Sequence, residues 1–380
     1  MPRLRTAFAL LAATCLPAFA SAQPKPPADR GPTLTTPTNL GLKPGATSEL
    51  VLTGTNLADV TAVWTSFGGK VTVPEGQKDA TKLAVRVEVP ATAFGQFEFR
   101  VATKYGLSNA RPICVDELPE VKEADGNRSK STPQKLPNPC VVVGQGDAES
   151  SDFYRVTAAA GVPLTFEVLG RRLGSPIDPV ILIHDAGGRE LAGLYGDDTP
   201  GLQTDARLTF TPKVSADYIV EVRDTTYRGG PEYGYRLRVG HFPGVTTAYP
   251  VAVERGKPTA VGFSGPGAKD ALPVSVTAAA GPLAVSVTPR GQSGAAGWPV
   301  PVLVSDVPQS VEAEPNDDPK AANKLVLPCG VTAKFDTKND VDCFRFAVAK
   351  GKKYGVTAVT AAVNSPAEVL LKIEDRKSVV

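Results

Sequence analysis

The chain repeats itself, and that repetition limits what it can fold into more than any other feature. Residues 114–127 (CVDELPEVKEADGN) align with residues 303–316 (LVSDVPQSVEAEPN) at an offset of 189, since 303 less 114 and 316 less 127 agree. "LPNPC", ending at Cys140, answers "LVLPC", ending at Cys329, at the same spacing. After a one-residue shift, "SSDFYRVTAAAG" (150–161) meets "DVDCFRFAVAKG" (340–351), and "SPIDPVILIHD" (175–185) meets "SPAEVLLKIED" (365–375), both at 190. Two copies of one unit argue for domains that fold within each repeat, not for a single core shared by 380 residues.

Each unit has two parts, and both read as short strands. In the first part of unit one, "LKPGATSELVLTGTNLADV" (42–60), Leu83–Val89 and Phe97–Val101 alternate apolar and polar residues between Gly and Pro punctuation, as half-buried antiparallel strands do. Unit two repeats this more loosely. "RGKPTAVGFSGPGA" (255–268) sets Gly265 where Gly54 stood, 211 residues on, so this copy is trimmed by about 22 residues (211 less 189). In the second part, Leu164, Phe166 and Val168 alternate, Val180–Ile183 is a short buried run, and Tyr218–Val222 and Tyr235–Val239 alternate again. "DAGGREL" (185–191) is a hairpin turn. With 36 Gly, 35 Pro and no sustained helical period, the expected fold is all-β: tandem antiparallel β-sandwich modules.

The copies differ in extent. At an offset of 190, Val380 answers residue 190, so unit two has no counterparts of 191–240, which supply the last strands of unit one. Unpaired sheet edges and an exposed core face are expected there. Either the sequence continues in a longer protein or something else completes the sandwich.

The start of the chain reads as an export signal. Arg3 and Arg5 precede an apolar run, Ala7 to Leu16, and Ala20-Ser21-Ala22 forms a small-residue cleavage site, so residues 1–22 are assigned to a signal peptide and 23–32 to a linker. The run is too short to span a bilayer. The expected location is therefore secreted, periplasmic or at the cell surface. Lys plus Arg number 41 against 39 Asp plus Glu, which argues against a nucleic-acid partner. Cys114, Cys140, Cys329 and Cys343 are too few for a disulfide scaffold in a chain of this length. Local pairs, Cys114 with Cys140 and Cys329 with Cys343, and buried thiols both remain open.

A search for catalytic groups finds none with supporting context. Gly262-Phe-Ser-Gly-Pro266 lacks the last glycine and the strand-to-helix setting of a nucleophile elbow. His184, in "VILIHD", and His241 read as structural, and the chain has no H-E-x-x-H or phosphate-cradling loop. Asp197, Asp198 and Asp205 read as turn chemistry, with a second cation site as the alternative. Trp64 and Trp298 stand singly in strand-like segments.

One segment is chemically dense. "SVEAEPNDDPKAANKLVLPC" (310–329) gathers Glu312, Glu314, Asn316, Asp317 and Asp318 around Pro315, and Asp340 and Asp342 stand two apart where the next strand begins. In an extended segment Glu312 and Glu314 face one side, and so many carboxylates repel one another without a cation. Calcium, which takes six to eight hard oxygens at flexible geometry, suits such a set. The alternative is an acidic, solvated linker in which Asp317 or Asp318 caps a turn.

"EAEPNDDPKAANKLVLPC", the Asp340–Phe346 segment, Lys350-Gly351 and "GGPEYGYRLRV" (229–239) resemble the bacterial pre-peptidase C-terminal (PPC) domain, a β-sandwich that accompanies secreted proteases and is abundant in planctomycete surface proteins. "GATSELVLTGTNL" resembles IPT/TIG or related immunoglobulin-like modules. The resemblance implies an IPT/TIG-like sandwich at 33–116, a PPC-type jelly-roll-like sandwich at 117–240, a trimmed Ig-like sandwich at 241–306 and an incomplete PPC-type sandwich at 307–380. Collagenase members of the family bind calcium through this linker, which implies calcium at Glu312, Glu314, Asn316 and Asp317, with Asp340 and Asp342 completing the set. In unit one Arg128 stands in place of Asp317, Gly126 in place of Pro315 and Ser150 in place of Asp340, so weak calcium binding or none is expected there. Collagenase relatives hold their ligand with exposed tyrosines on this sandwich. Here Tyr227 and Tyr233 are the candidates, while Tyr235 is in phase with the core.

The leading expectation is a non-catalytic, exported, multi-module binding or adhesion protein with an extracellular protein or polysaccharide ligand. Its rivals are the accessory front of a larger secreted hydrolase, a peptidase whose catalytic domain lies beyond residue 380, and an inert spacer.

Overall fold

A computed structural model describes residues 31–37, 40–292 and 294–374. The signal-peptide assignment and most of the linker lie outside the described residues. The fold is all-β: among the described residues every regular element is a strand apart from three single-turn 3₁₀ segments, Arg171–Leu173, Ala268–Asp270 and Ala361–Val363. No helix among the described residues is long and apolar enough to cross a membrane.

The first sandwich packs the sheet Thr33–Leu34, Thr47–Thr55, Lys82–Glu88, Lys70–Thr72 against a second, Gly41–Leu42, Arg111–Val115, Gly95–Thr103, Val60–Thr65. Strand Lys82–Glu88 shows why: Leu83, Val85 and Val87 are buried while the intervening residues are exposed, so the two-residue period sends one face into the core with Phe99, Val101 and Ile113.

The second sandwich has two five-stranded sheets. One runs Glu120–Lys122, Cys140–Gln145, Gly234–Gly240, Leu164–Leu169, Arg207–Phe210. The other runs Gln134–Lys135, Asp152–Ala158, Ala216–Asp224, Pro179–His184, Glu190–Gly196. Its core includes Tyr154, Phe166, Val168, Ile181, Val220 and Leu237. Unlike a free sandwich, it is buried on the outer face of the first sheet as well. Strand Leu164–Leu169 is buried at every position, and Arg236 and Arg238, the outward partners of Tyr235 and Leu237, are 2% and 0% exposed. The first and third modules cover them: Leu40, Cys114, Leu169, Leu173 and Trp298 form one apolar cluster across the junction.

The third module is smaller, with three-stranded sheets Thr247–Tyr249, Thr259–Ser264, Val274–Val276 and Ala252–Glu254, Val300–Ser305, Ala284–Val287 around Val253, Val261 and Val302. Its attachments repeat those of the first. Thr35 N–H donates to Thr53 O and Thr246 N–H donates to Ser264 O, each 211 residues apart as the sequence offset requires.

In unit two the second part begins as in unit one and then diverges. Gln309–Val311 runs parallel to Gly330–Thr332, and Asn323–Leu325 parallel to Phe344–Phe346. The equivalent parallel pairs of unit one stand at offsets of 189 and 190. In unit one, Cys140–Gln145 and Asp152–Ala158 each pair on their other edge with Gly234–Gly240 and Ala216–Asp224. Gly330–Thr332 and Phe344–Phe346 have no second partner among the described residues, and no strand forms after Phe346 among them. The expected exposed core face is present. Val180, Ile181 and Ile183 are at most 1% exposed, whereas their counterparts Leu370, Leu371 and Ile373 are 93%, 52% and 52% exposed.

Candidate metal centre

The acidic hinge is shaped by backbone bonds at both ends. Glu312 N–H donates to Thr332 O (3.0 Å), continuing the parallel ladder. The Asn323 side chain brackets Ala313, accepting from its N–H (2.7 Å) and donating to its carbonyl (2.8 Å). Beyond the turn, Cys343 N–H donates to Asn316 O (3.1 Å), which draws the start of the next strand against the hinge. Asn316 N–H donates to Glu314 Oε2 (2.8 Å), and Lys334 N–H donates to Glu312 Oε1.

As a result, one carboxylate oxygen each from Glu312, Glu314 and Asp342 lies within 4.8 Å of the others. Asn316 is fully buried, its Nδ2 donates to Glu312 Oε2 (3.4 Å), and its Oδ1 has no partner. Asp342 Oδ1 is buried and unpartnered as well. A buried acceptor without a donor is costly, on the order of 1–3 kcal/mol. The donor set is all hard oxygen, and Cys343 Sγ turns away toward Asp317 O (3.5 Å), so the residues fit a calcium-type cation.

Of the six residues expected at the site, the fold brings together Glu312, Glu314, Asn316 and Asp342. Asp317 and Asp340 instead accept from backbone amides of the neighbouring loop. Asp317 Oδ1 accepts from Val341 N–H (3.3 Å), and Asp340 Oδ2 accepts from Asp336 N–H (2.5 Å) and Thr337 N–H (3.4 Å). Asp318 caps a turn, accepting from Lys320 N–H (2.7 Å). Asn323 and Lys334 were not singled out from sequence. The repeat held the signal for Asn323: its counterpart Gln134 holds the equivalent N–H, accepting from Ala124 (2.8 Å), though it donates to Lys122 O (2.9 Å), two residues earlier in the repeat than the carbonyl Asn323 meets.

Partial burial is the largest effect on Glu312. The Lys334 N–H opposes it, the Asp342 carboxylate adds to it, and the carboxyl is pushed up to about 7. Asp342 is raised too, first by burial, with the Glu312 side chain opposing and the charges of Asp340, Glu314 and Asp317 adding to it. A folded-state value above the unfolded one, near 4.3, means that the folded hinge holds its proton more tightly. Without a divalent ion, hinge stability is therefore greatest below about pH 4.3 and falls as pH rises toward 7. Amide exchange at Lys334 in chelator is expected to quicken across that window. An exchange rate that, after correction for intrinsic chemistry, does not change with pH would contradict this.

The other residues singled out from sequence have structural partners. His184 is buried in its strand with Nε2 2.9 Å from Glu221 Oε2. Asp205 is buried, accepting from Gly170 N–H (3.0 Å), Arg171 N–H (2.7 Å) and Arg172 Nε (2.7 Å). Asp197 and Asp198 form a second acidic cluster with Asp178, and Asp197 accepts from Tyr195 OH (2.6 Å). Tyr235 is buried, Tyr233 half-buried and Tyr227 exposed with the Arg223 guanidinium 4.3 Å over its ring. Trp64 is exposed and Trp298 buried. Ser264 ends strand Thr259–Ser264, with no α-helix after it. Cys114, Cys140, Cys329 and Cys343 are free thiols, the first two buried.

The sequence matches no protein-family model and no curated protein. Among solved structures, the pre-peptidase C-terminal domain of collagenase from Bacillus anthracis is similar over 28% of this chain and 94% of its own, at 16% identity and a TM-score of 0.24. The SGBP-B of a Bacteroides ovatus mixed-linkage glucan utilization locus, in complex with a mixed-linkage heptasaccharide, is similar over 55% of this chain and 73% of its own (10% identity, TM-score 0.20). The secreted serine protease VesC from Vibrio cholerae is similar over 56% of this chain and 50% of its own (11% identity, TM-score 0.19).

Proposed function

We propose that this is an exported, non-catalytic array of β-sandwiches that binds an extracellular protein or polysaccharide, with a calcium ion stapling the hinge before its last module. In this reading the repeated unit is a PPC-type sandwich preceded by an IPT/TIG-like one. The observation that carries the calcium reading is the convergence of Glu312, Glu314 and Asp342 within 4.8 Å beside the buried, unpartnered Asn316 Oδ1. Those four residues would hold the ion, which would supply positive charge among the converging carboxylates. Bound calcium would fix the third module relative to the segment that follows it. A fixed array presents its surfaces at set spacings, which suits multivalent attachment.

The test is calorimetric titration of the full chain with calcium, beside a Glu312→Ala/Glu314→Ala variant. The expected Kd is about 10⁻⁴ to 10⁻³ M, as in other extracellular modules, and the variant should lose the heat altogether. Identical heats from both proteins would remove calcium from this hinge. Glycan and collagen arrays test the ligand; blank arrays would leave a spacer.

A further inference from the structure

We propose that Arg128 is a tethered cation that takes the place of a divalent ion in unit one, so that the first hinge is held without metal and only the second responds to calcium. The second half of this statement rests on the calcium reading of the second hinge. The first half stands on unit one alone.

Arg128 reaches into the carbonyl and carboxylate oxygens that the repeat would otherwise leave facing one another. Its Nη1 donates to Glu123 Oε1 (2.7 Å), to Asn127 Oδ1 (3.0 Å) and to Asp152 Oδ1, and its Nη2 donates to Asp147 Oδ2 (2.6 Å). The second oxygens of Glu123 and Asp152 are also occupied. Glu123 Oε2 accepts from Gln145 N–H (2.8 Å), and Asp152 Oδ2 accepts from Tyr235 OH (2.5 Å), which lies 2.6 Å from Tyr154 OH.

Each acceptor has a counterpart in unit two. Glu123, Asn127 and Asp147 answer Glu312, Asn316 and Asp336 at 189, and Asp152 answers Asp342 at 190. Even the backbone donor repeats, Gln145 N–H on Glu123 and Lys334 N–H on Glu312. Among the differences between the two hinges, residue 128 is the one that adds a cation, its counterpart being Asp317. Where the guanidinium is present, Asn127 Oδ1 and Asp152 Oδ1 are bonded. Where it is absent, Asn316 Oδ1 and Asp342 Oδ1 are buried without partners.

A guanidinium suits the role because it stays charged at any physiological pH and offers several donors in one plane. It also cannot dissociate, so the first hinge keeps its cation at any external calcium concentration. With the side chain removed, Asp152, 2% exposed, would be a buried carboxylate with no counter-charge, a situation that either destabilises the fold or recruits an ion.

The experiment uses the full chain in a Glu312→Ala/Glu314→Ala background, which silences the second hinge, and terbium as the probe because Tyr235 and Tyr154 lie at the site and can sensitise its emission. Arg128→Ala is expected to bind about one terbium equivalent more than its parent, with tyrosine-sensitised emission that calcium displaces. Arg128→Lys, which keeps a tethered charge, should gain none. If Arg128→Ala folds only when calcium is supplied, the proposal is also supported. Overturning results are no added equivalent in folded Arg128→Ala, failure to fold with or without calcium, or a tyrosine-sensitised site already present in the parent. Failure of the second-hinge reading would show separately, as absent calcium heat in the unsubstituted chain.

Discussion

Arg238→Ala is expected to cost about 3–5 kcal/mol of unfolding free energy, because it leaves one member of a buried ion pair without its partner. Arg238 lies on strand Gly234–Gly240 and is fully buried. Its Nε donates to Asp116 Oδ2 (2.8 Å) and its Nη2 to Ala296 O (2.7 Å), so one side chain bonds the segment leaving the first module and the third module at once. Around it lie the rings of Phe242 (4.3 Å from the guanidinium carbon), Phe94 and Trp298 (both 5.6 Å). Alanine removes the stacking and leaves Asp116, 1% exposed, with its charge uncompensated. Urea unfolding followed by circular dichroism gives the magnitude, and limited proteolysis should show new cuts between the first three modules. A loss below about 1 kcal/mol with an unchanged digest would mean that the junction does not depend on this pair. Lysine should recover little, since an ammonium cannot match the planar fork or its stacking.

Glu167→Gln is expected to be of similar size, about 3 kcal/mol or more, though it changes almost no volume. The carboxylate is fully buried and sits among three guanidinium groups: Arg207 Nε at 2.5 Å, Arg172 Nη2 at 3.5 Å and Arg238 Nη1 at 3.9 Å. Burial by itself would raise its pKa, but Arg207, then Arg172, then Arg238 together hold it below the ordinary glutamate value. A depressed folded value gives stability that is present above the unfolded pKa of about 4.3 and is lost as pH falls through the folded one. The variant should therefore be less stable at neutral pH and show a shallower acid limb. Equal stability of the two proteins at pH 7 would refute the charge argument. Because Glu167 and Arg238 share this network, the double variant should lose less than the sum of the singles.

Much of the architecture was legible before any coordinates. The offsets of 189 and 190 reappear as identical strand registers, Glu120 against Val141 and Gln309 against Gly330, because residues alike in apolar spacing and turn chemistry fold alike. Leu83, Val85 and Val87 were readable as one buried face from alternation alone. The hinge was readable as a collection of oxygens, and Glu312, Glu314, Asn316 and Asp342 do converge in it, but which of the expected acids would turn aside was not. Asp342 joins Glu312 and Glu314, while Asp340, two residues earlier, turns to the backbone N–H groups of Asp336 and Thr337. Spacing alone does not say which of two neighbouring carboxylates a loop will point inward.

By itself, the sequence determined the strands, their in-and-out phase, the duplicated unit and the stretch where acid gathers, since each follows from local periodicity and from residues a short distance apart. Only the tertiary structure decided what the outward phase meets. Arg236, Arg238 and Glu167 stand at positions that alternation assigns to water, and they are buried because the first and third modules close over that sheet. Arg128 and Asp147, 19 residues apart, likewise meet only when the fold carries both to the same turn. Side-chain phase is a property of one strand, whereas burial of the outer face depends on which module packs against it, and that contact involves residues far apart in the chain.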